Sequence, residues 1–239
     1  MEALLSAVLL GFVLGLQHAT DPDHVVAVAT IVTRERRFTA GARVGLYWGL
    51  GHALTLATAG TVVIALGHGV PVRVATGVEL IVAAMLVVLG AVRLRDAAQG
   101  ILAVAPDARI ADHEHGPGGV VHTHDGRAHV HPSAALLGAW RGAGHGVRLR
   151  ALLVGAVHGM AGTAAIALLV LPTLDSPLLA AAYLGVFGIG TLAGMTALTA
   201  AMAYPAARLG WGRRLREAMA VVSGVAAIVV GCWYAARLI

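Results

Sequence analysis

Lysine is absent from all 239 residues, cysteine occurs once, and only 12% of the chain is charged. The lone Cys232 rules out an intrachain disulfide and a cysteine-based metal site, and it carries no information about redox compartment. So few charges beside 58% hydrophobic residues are far from the balance of a soluble domain, in which about a quarter of residues are charged. Strands of alternating polarity are missing, which removes a membrane barrel. No nucleotide-binding motif is present, so ATP-driven work would need a separate partner. The first apolar run has no basic flank, because no arginine precedes Arg34, and it reads as a membrane helix rather than a cleavable signal peptide.

What is present is a series of long apolar runs. About 20 apolar residues in a helix span a hydrocarbon core of ~30 Å. The runs predict six helices, over about 3–33, 42–66, 74–94, 149–171, 178–204 and 215–238. The fold class is therefore all-α, a polytopic membrane protein of six transmembrane helices. At ~1.5 Å per residue the first run is too long for one span, so it must tilt, protrude or break. The pI of 10.3 comes from arginine alone. Every arginine except Arg73 and Arg237 falls in the links after the first, third and fifth helices. The positive-inside rule makes those links cytoplasmic, puts both termini outside and predicts a multi-pass protein of the cytoplasmic (inner) cell membrane. The basic balance is thus a topology signal, and nucleic acid is not an expected partner.

The expected organisation is helices 1–3 in residues 1–95, a cytoplasmic loop in 96–148, and helices 4–6 in 149–239. The halves resemble each other. A shift of 140 residues sets Gly15, His18 and the apolar run from Val25 over Gly155, His158 and the run from Ala165. Similar shifts set "GLGH" (49–52) over "GIGT" (188–191) and Gly90 over Gly231. Three helices per half imply a 3+3 inverted repeat, a common transporter plan with the site at the interface of the halves. The loop holds three His-x-His pairs, His113/His115, His122/His124 and His129/His131. Paired imidazoles in a flexible chain suit accessory binding of late transition metals at modest affinity.

The polarity of the first apolar run is concentrated in "HATDPDH" (18–24). Ionisable groups at the bilayer centre cost ~2.5–3.5 kcal/mol each on insertion scales and mark function by default. At ~100° per residue, His18, Asp21 and His24 share an arc of ~120°, whereas Asp23 points away from them unless the helix unwinds. Pro22 favours unwinding, since it removes the bond to the carbonyl of residue 18 and disfavours helical geometry at Asp21. The freed carbonyl of His18 is then a further oxygen ligand or a water acceptor. Imidazole nitrogen with carboxylate oxygen and no thiolate suits Ni²⁺, Co²⁺ or Zn²⁺.

At these residues the sequence resembles the nickel/cobalt transporter family, in particular its six-helix urease-accessory-type and nickel/cobalt efflux-type permeases. The resemblance rests on "HATDPDH" (18–24), a histidine followed after four residues by Asp-His, and on "LGH" (50–52) in the next helix. It implies a metal site of His18, Asp23 and His24, with His52 completing or supporting it. It leaves Asp21, favoured by helical geometry, and Asp23 as alternatives. The stretch matching the acidic second-half motifs of the longer uptake permeases, "VHGMAGTAAIALLV" (157–170), has no carboxylate, so direction is open.

The function expected from the sequence is a permease, not an enzyme, moving Ni²⁺ or alternatively Co²⁺ through an intramembrane His/Asp site, with no cofactor beyond the transported metal. Efflux instead of uptake is the alternative, followed by a non-transporting metal-delivery protein or a membrane metalloenzyme. A cytoplasmic metallochaperone and a second copy of the chain are further candidate partners. Along the pathway, His158 is either a path residue or a helix–helix hydrogen-bonder. Glu79 is an interfacial carboxylate paired with Arg73 or a proton-coupling acid. Thr20 and Thr55 line a path or bond their own helices.

Overall fold

A computed structural model describes residues 2–32, 38–98, 122–124, 127–129, 145–159, 162–174, 176–209 and 213–238. The described chain is helical apart from one small hairpin. Helix α1 runs Glu2–His18 and α2 runs Pro22–Val32, followed by the long helices α3, Phe38–Leu66, and α4, Val72–Ala98. Strands β1, His122–His124, and β2, Arg127–His129, pair antiparallel with His122 opposite His129. The second half begins with α5, His145–His158, and α6, Thr163–Val170, which ends in a 3-10 turn, Leu171–Thr173. Helices α7, Pro177–Leu209, and α8, Arg213–Leu238, complete it.

Among the described residues, four helices, α3, α4, α7 and α8, are long and apolar enough to cross a bilayer. Their outward faces carry Leu54, Val62, Ile81, Val88, Ile189 and Val229, all more than half exposed. With no charge among them, these faces fit lipid and not water. The protein is a helical membrane protein.

The first apolar run divides at its polar motif. Pro22 opens α2, where its missing N–H is no loss, and the preceding residues leave the helix. The chain tightens there: the amide of Thr20 donates to the Gln17 carbonyl at 2.9 Å and that of Asp21 to the His18 carbonyl at 3.1 Å. The His18 carbonyl is therefore engaged by Asp21 and does not stand open as expected. The fourth apolar run, read as one helix over 149–171, also divides. Helix α5 stops at His158, Gly159 donates back to the Ala156 carbonyl, and Gly162 takes φ 64°. Glycine reaches this left-handed conformation without the strain of a Cβ, so "HGMAG" breaks the run without a proline.

Helix packing follows a reciprocal pattern. Helix α1 lies along α7 and α5 lies along α3, while α3 meets α7 and α4 meets α8. The closest approaches occur at glycines on both sides of this exchange. A methyl group on Gly15 would strike the Phe187 carbonyl, and one on Gly155 the Trp48 carbonyl. One on Gly51 would strike the Leu152 carbonyl, and one on Gly190 would come within 2.5 Å of the Phe12 carbonyl. Gly90 and Gly231 behave alike toward the carbonyls of Gly224 and Ala83. Small residues at these crossings let backbones approach, the usual basis of helix association in lipid. One apolar cluster contains Val28, Val44, Trp48, Leu86 and Ala151, and a second contains Leu56, Leu168, Tyr183 and Phe187. The polar residues of the motif sit between them.

Candidate metal centre

The two breaks face each other. A Cβ on Gly162, in the second break, would lie 3.2 Å from Asp21 Oδ2 and 3.7 Å from Asp23 Oδ2, in the first. The N-termini of α2 and α6 both open at this point. Their dipoles present partial positive charge to the two carboxylates, the arrangement by which half-helices hold charge inside a bilayer. Around the carboxylates, His18, His24, His52 and His158 are all completely buried.

Each histidine is oriented by a neighbour. His18 Nδ1–H donates to Asp21 Oδ2 at 3.1 Å, which turns Nε2 inward, 3.0 Å from Nε2 of His52 on α3. His24 Nδ1–H donates to Asp23 Oδ1 at 3.2 Å. Asp23 Oδ2 stands 3.4 Å from His158 Nε2, within ion-pair range but misaligned for a hydrogen bond. The His24 ring sits centrally, its centroid 4.6 Å from that of His18, 5.4 Å from His52 and 4.9 Å from His158. Trp48 stacks on His24 at 5.8 Å and Phe187 tilts against His18 at 5.6 Å, so aromatic walls exclude water on two sides.

Among the described residues, two groups of side chains could each hold a metal ion: His18, His24 and His52, and Asp23, His24 and His158. Within each group the ligand atoms lie within 4.8 Å of one another, and His24 belongs to both. Nitrogen donors 3.0 Å apart suit two ligands at a right angle on an ion with bonds of ~2.1 Å. Nitrogen and oxygen donors without sulfur suit Ni²⁺, Co²⁺ or Zn²⁺ over Cu(I). His24 Nε2, His52 Nδ1, both ring nitrogens of His158 and Asp23 Oδ2 are buried and make no hydrogen bond. Buried groups of this kind are costly without a partner, and a bound cation would provide one.

The remaining sequence-selected residues divide cleanly. Asp21 keeps 15% of its side chain exposed and contacts His18, whereas Asp23 is fully buried between His24 and His158. Thr20, in the first break, donates to the Gln17 carbonyl at 2.7 Å, Thr55 donates to the Gly51 carbonyl of its own helix at 3.3 Å, and neither enters the cluster. Glu79 makes no ion pair with Arg73; it lines a cavity with Gly162 and Tyr234. Of the loop histidines, His122, His124 and His129 lie in the hairpin strands, and His113, His115 and His131 fall outside the described residues. Trp48 and Phe187 were not expected at the centre; their signal was their place immediately before the aligned "GLGH" and "GIGT" stretches.

The chain is similar to the urease accessory protein UreH of Bacillus sp. (strain TB-90), with 29% identity over 231 residues, 97% of this chain and 91% of that one. No family model matches the sequence. No solved structure matches it.

Proposed function

We propose that the protein is a multi-pass permease that carries divalent nickel, or alternatively cobalt, across the inner cell membrane through the centre between the two breaks. The observation that carries this reading is the burial of four histidines and Asp23 together in the interior of an apolar helical protein. Such residues mark ion pathways in membrane helices. The similarity to a urease accessory protein supports nickel, the metal of urease, as the cargo.

In this reading the pairs α1–α2 and α5–α6 each form one interrupted span, giving six spans in two inverted halves with both termini on the outer side. The reciprocal glycine contacts support the repeat, since exchanging the halves turns each crossing into its partner. Discontinuous helices meeting at mid-membrane are a recurrent transporter device. His24, shared by both ligand groups, lets an ion pass from one to the other with part of its coordination kept. The protein acts as a carrier and not as an enzyme, and uptake is the direction proposed. The arginine-rich links then face the cytoplasm, where the loop histidines would hold arriving metal for a metallochaperone.

Purified protein in sealed proteoliposomes with a trapped nickel-sensitive dye tests the reading. Nickel entry that saturates with concentration is expected from the wild type and not from His24→Ala. Intact nickel binding with no flux would remove the permease and leave a delivery protein.

A further inference from the structure

Resting on the permease reading, we propose that the cavity between α4 and α8 is the mouth through which a hydrated divalent cation reaches the buried centre, and that Glu79 captures the ion there. The cavity measures about 170 Å³ and is lined by Glu79, Val82, Gly162, Tyr234, Arg237 and Leu238. Water occupies ~30 Å³ per molecule, so the space takes an ion with several of its waters. It opens on the face that carries Arg73 and Arg237, opposite the arginine-rich links.

The cavity leads to the site. Gly162 forms its inner wall, and the carboxylates of Asp21 and Asp23 lie just behind the position a Cβ would take there. Asp21 is the partly exposed one of the two, and Asp23 is sealed. Val28, Val32, Val44, Leu86 and Ala151 pack together in one buried apolar cluster. In this proposal that cluster closes the path from the histidines toward the arginine-rich links.

Glu79 is the free anion of this mouth. It makes no hydrogen bond or ion pair among the described residues. Arg237, the cation of the same wall, is turned onto the Trp233 ring, 3.8 Å from its centroid. A single carboxylate in a cleft with low-dielectric walls concentrates cations and raises their rate of entry. Its oxygens suit the water shell of a divalent ion, which the imidazoles deeper in replace by direct ligation.

Initial rates of nickel entry into proteoliposomes test this at low and at high ionic strength. Glu79→Gln is expected to raise KM at least fivefold at low salt, leave kcat within twofold, and abolish the increase of KM with salt expected of the wild type. Glu79→Asp should restore most of the loss. A KM within twofold of the wild type, or a fall in kcat alone, overturns the assignment. Should Glu79→Gln fail to fold, the Glu79→Cys thiol in a Cys232→Ser background serves instead. Its labelling by a membrane-impermeant thiosulfonate should slow at least threefold with nickel; no labelling, or labelling indifferent to nickel, overturns the proposal. Wild-type flux in the same vesicles separates the two ideas. Its absence sinks the permease, and its presence with an unaltered Glu79→Gln sinks only the mouth.

Discussion

Asp21 and Asp23, two positions apart, perform different tasks because Pro22 separates their backbones. Helical projection assigned Asp21 to the group containing His18, and it is there, holding His18 Nδ1 from the rim. Asp23, which the family motif favours, is the buried carboxylate between His24 and His158. Carboxylates that orient ligating histidines typically contribute 10- to 100-fold in metal affinity. Asp21→Asn should therefore weaken nickel binding by about that factor while leaving a saturable site; equilibrium dialysis checks it, and an unchanged affinity would remove Asp21 from the site. His24→Ala should lower affinity further, since both ligand groups lose a member. Protons compete with metal for imidazole nitrogen, so affinity should fall as the solution is acidified. Titration calorimetry at several pH values would show an affinity independent of pH if protons did not compete with the metal. At this scale the motif histidines were legible as costly polarity in an apolar run. His158 was legible only through its alignment with His18, and Trp48 and Phe187 were hidden because large aromatics in apolar helices look like ordinary core.

The elements that build the centre are two interrupted helices, and their breaks differ in how openly the sequence announces them. Proline in a helical run is a strong stop signal, so the break before α2 could be placed from residues alone. The break before α6 depends on the left-handed backbone of Gly162, and isolated glycines in membrane helices more often serve packing. Gly162→Ala should cost about 1–3 kcal/mol through backbone strain and press on Asp21, lowering nickel affinity along with thermal stability. Normal affinity in this variant would show that the second break does not shape the site. Gly51→Ala tests the crossing of α3 and α5, where the added methyl meets the Leu152 carbonyl. A loss of about 1–3 kcal/mol is expected, read as a lowered unfolding temperature in detergent. The β1–β2 hairpin went unread within a stretch taken as loop, although Asp125–Gly126 between two His-x-His pairs is a hairpin-turn dipeptide.

For the whole molecule, four of the long apolar runs were readable as membrane helices, since spanning a bilayer demands about 20 apolar residues whatever the fold. Which helices touch was not readable in the same way. Contacts between α1 and α7 or α3 and α5 depend on glycine faces that hydropathy does not distinguish. Residues 111–132 contribute none of the buried histidines, so their removal should reduce metal capture at low nickel yet preserve flux at saturating nickel. Loss of flux at all concentrations would give the loop an obligatory role. The central claim is that the transported ion is held by the buried histidines, and nickel K-edge X-ray absorption of the loop-deleted protein, loaded with one equivalent, tests it most directly. The account predicts the multiple-scattering pattern of at least two imidazoles, nitrogen and oxygen neighbours only, and its loss in His24→Ala. A nickel spectrum of water oxygens alone, or one unchanged by His24→Ala, would contradict it.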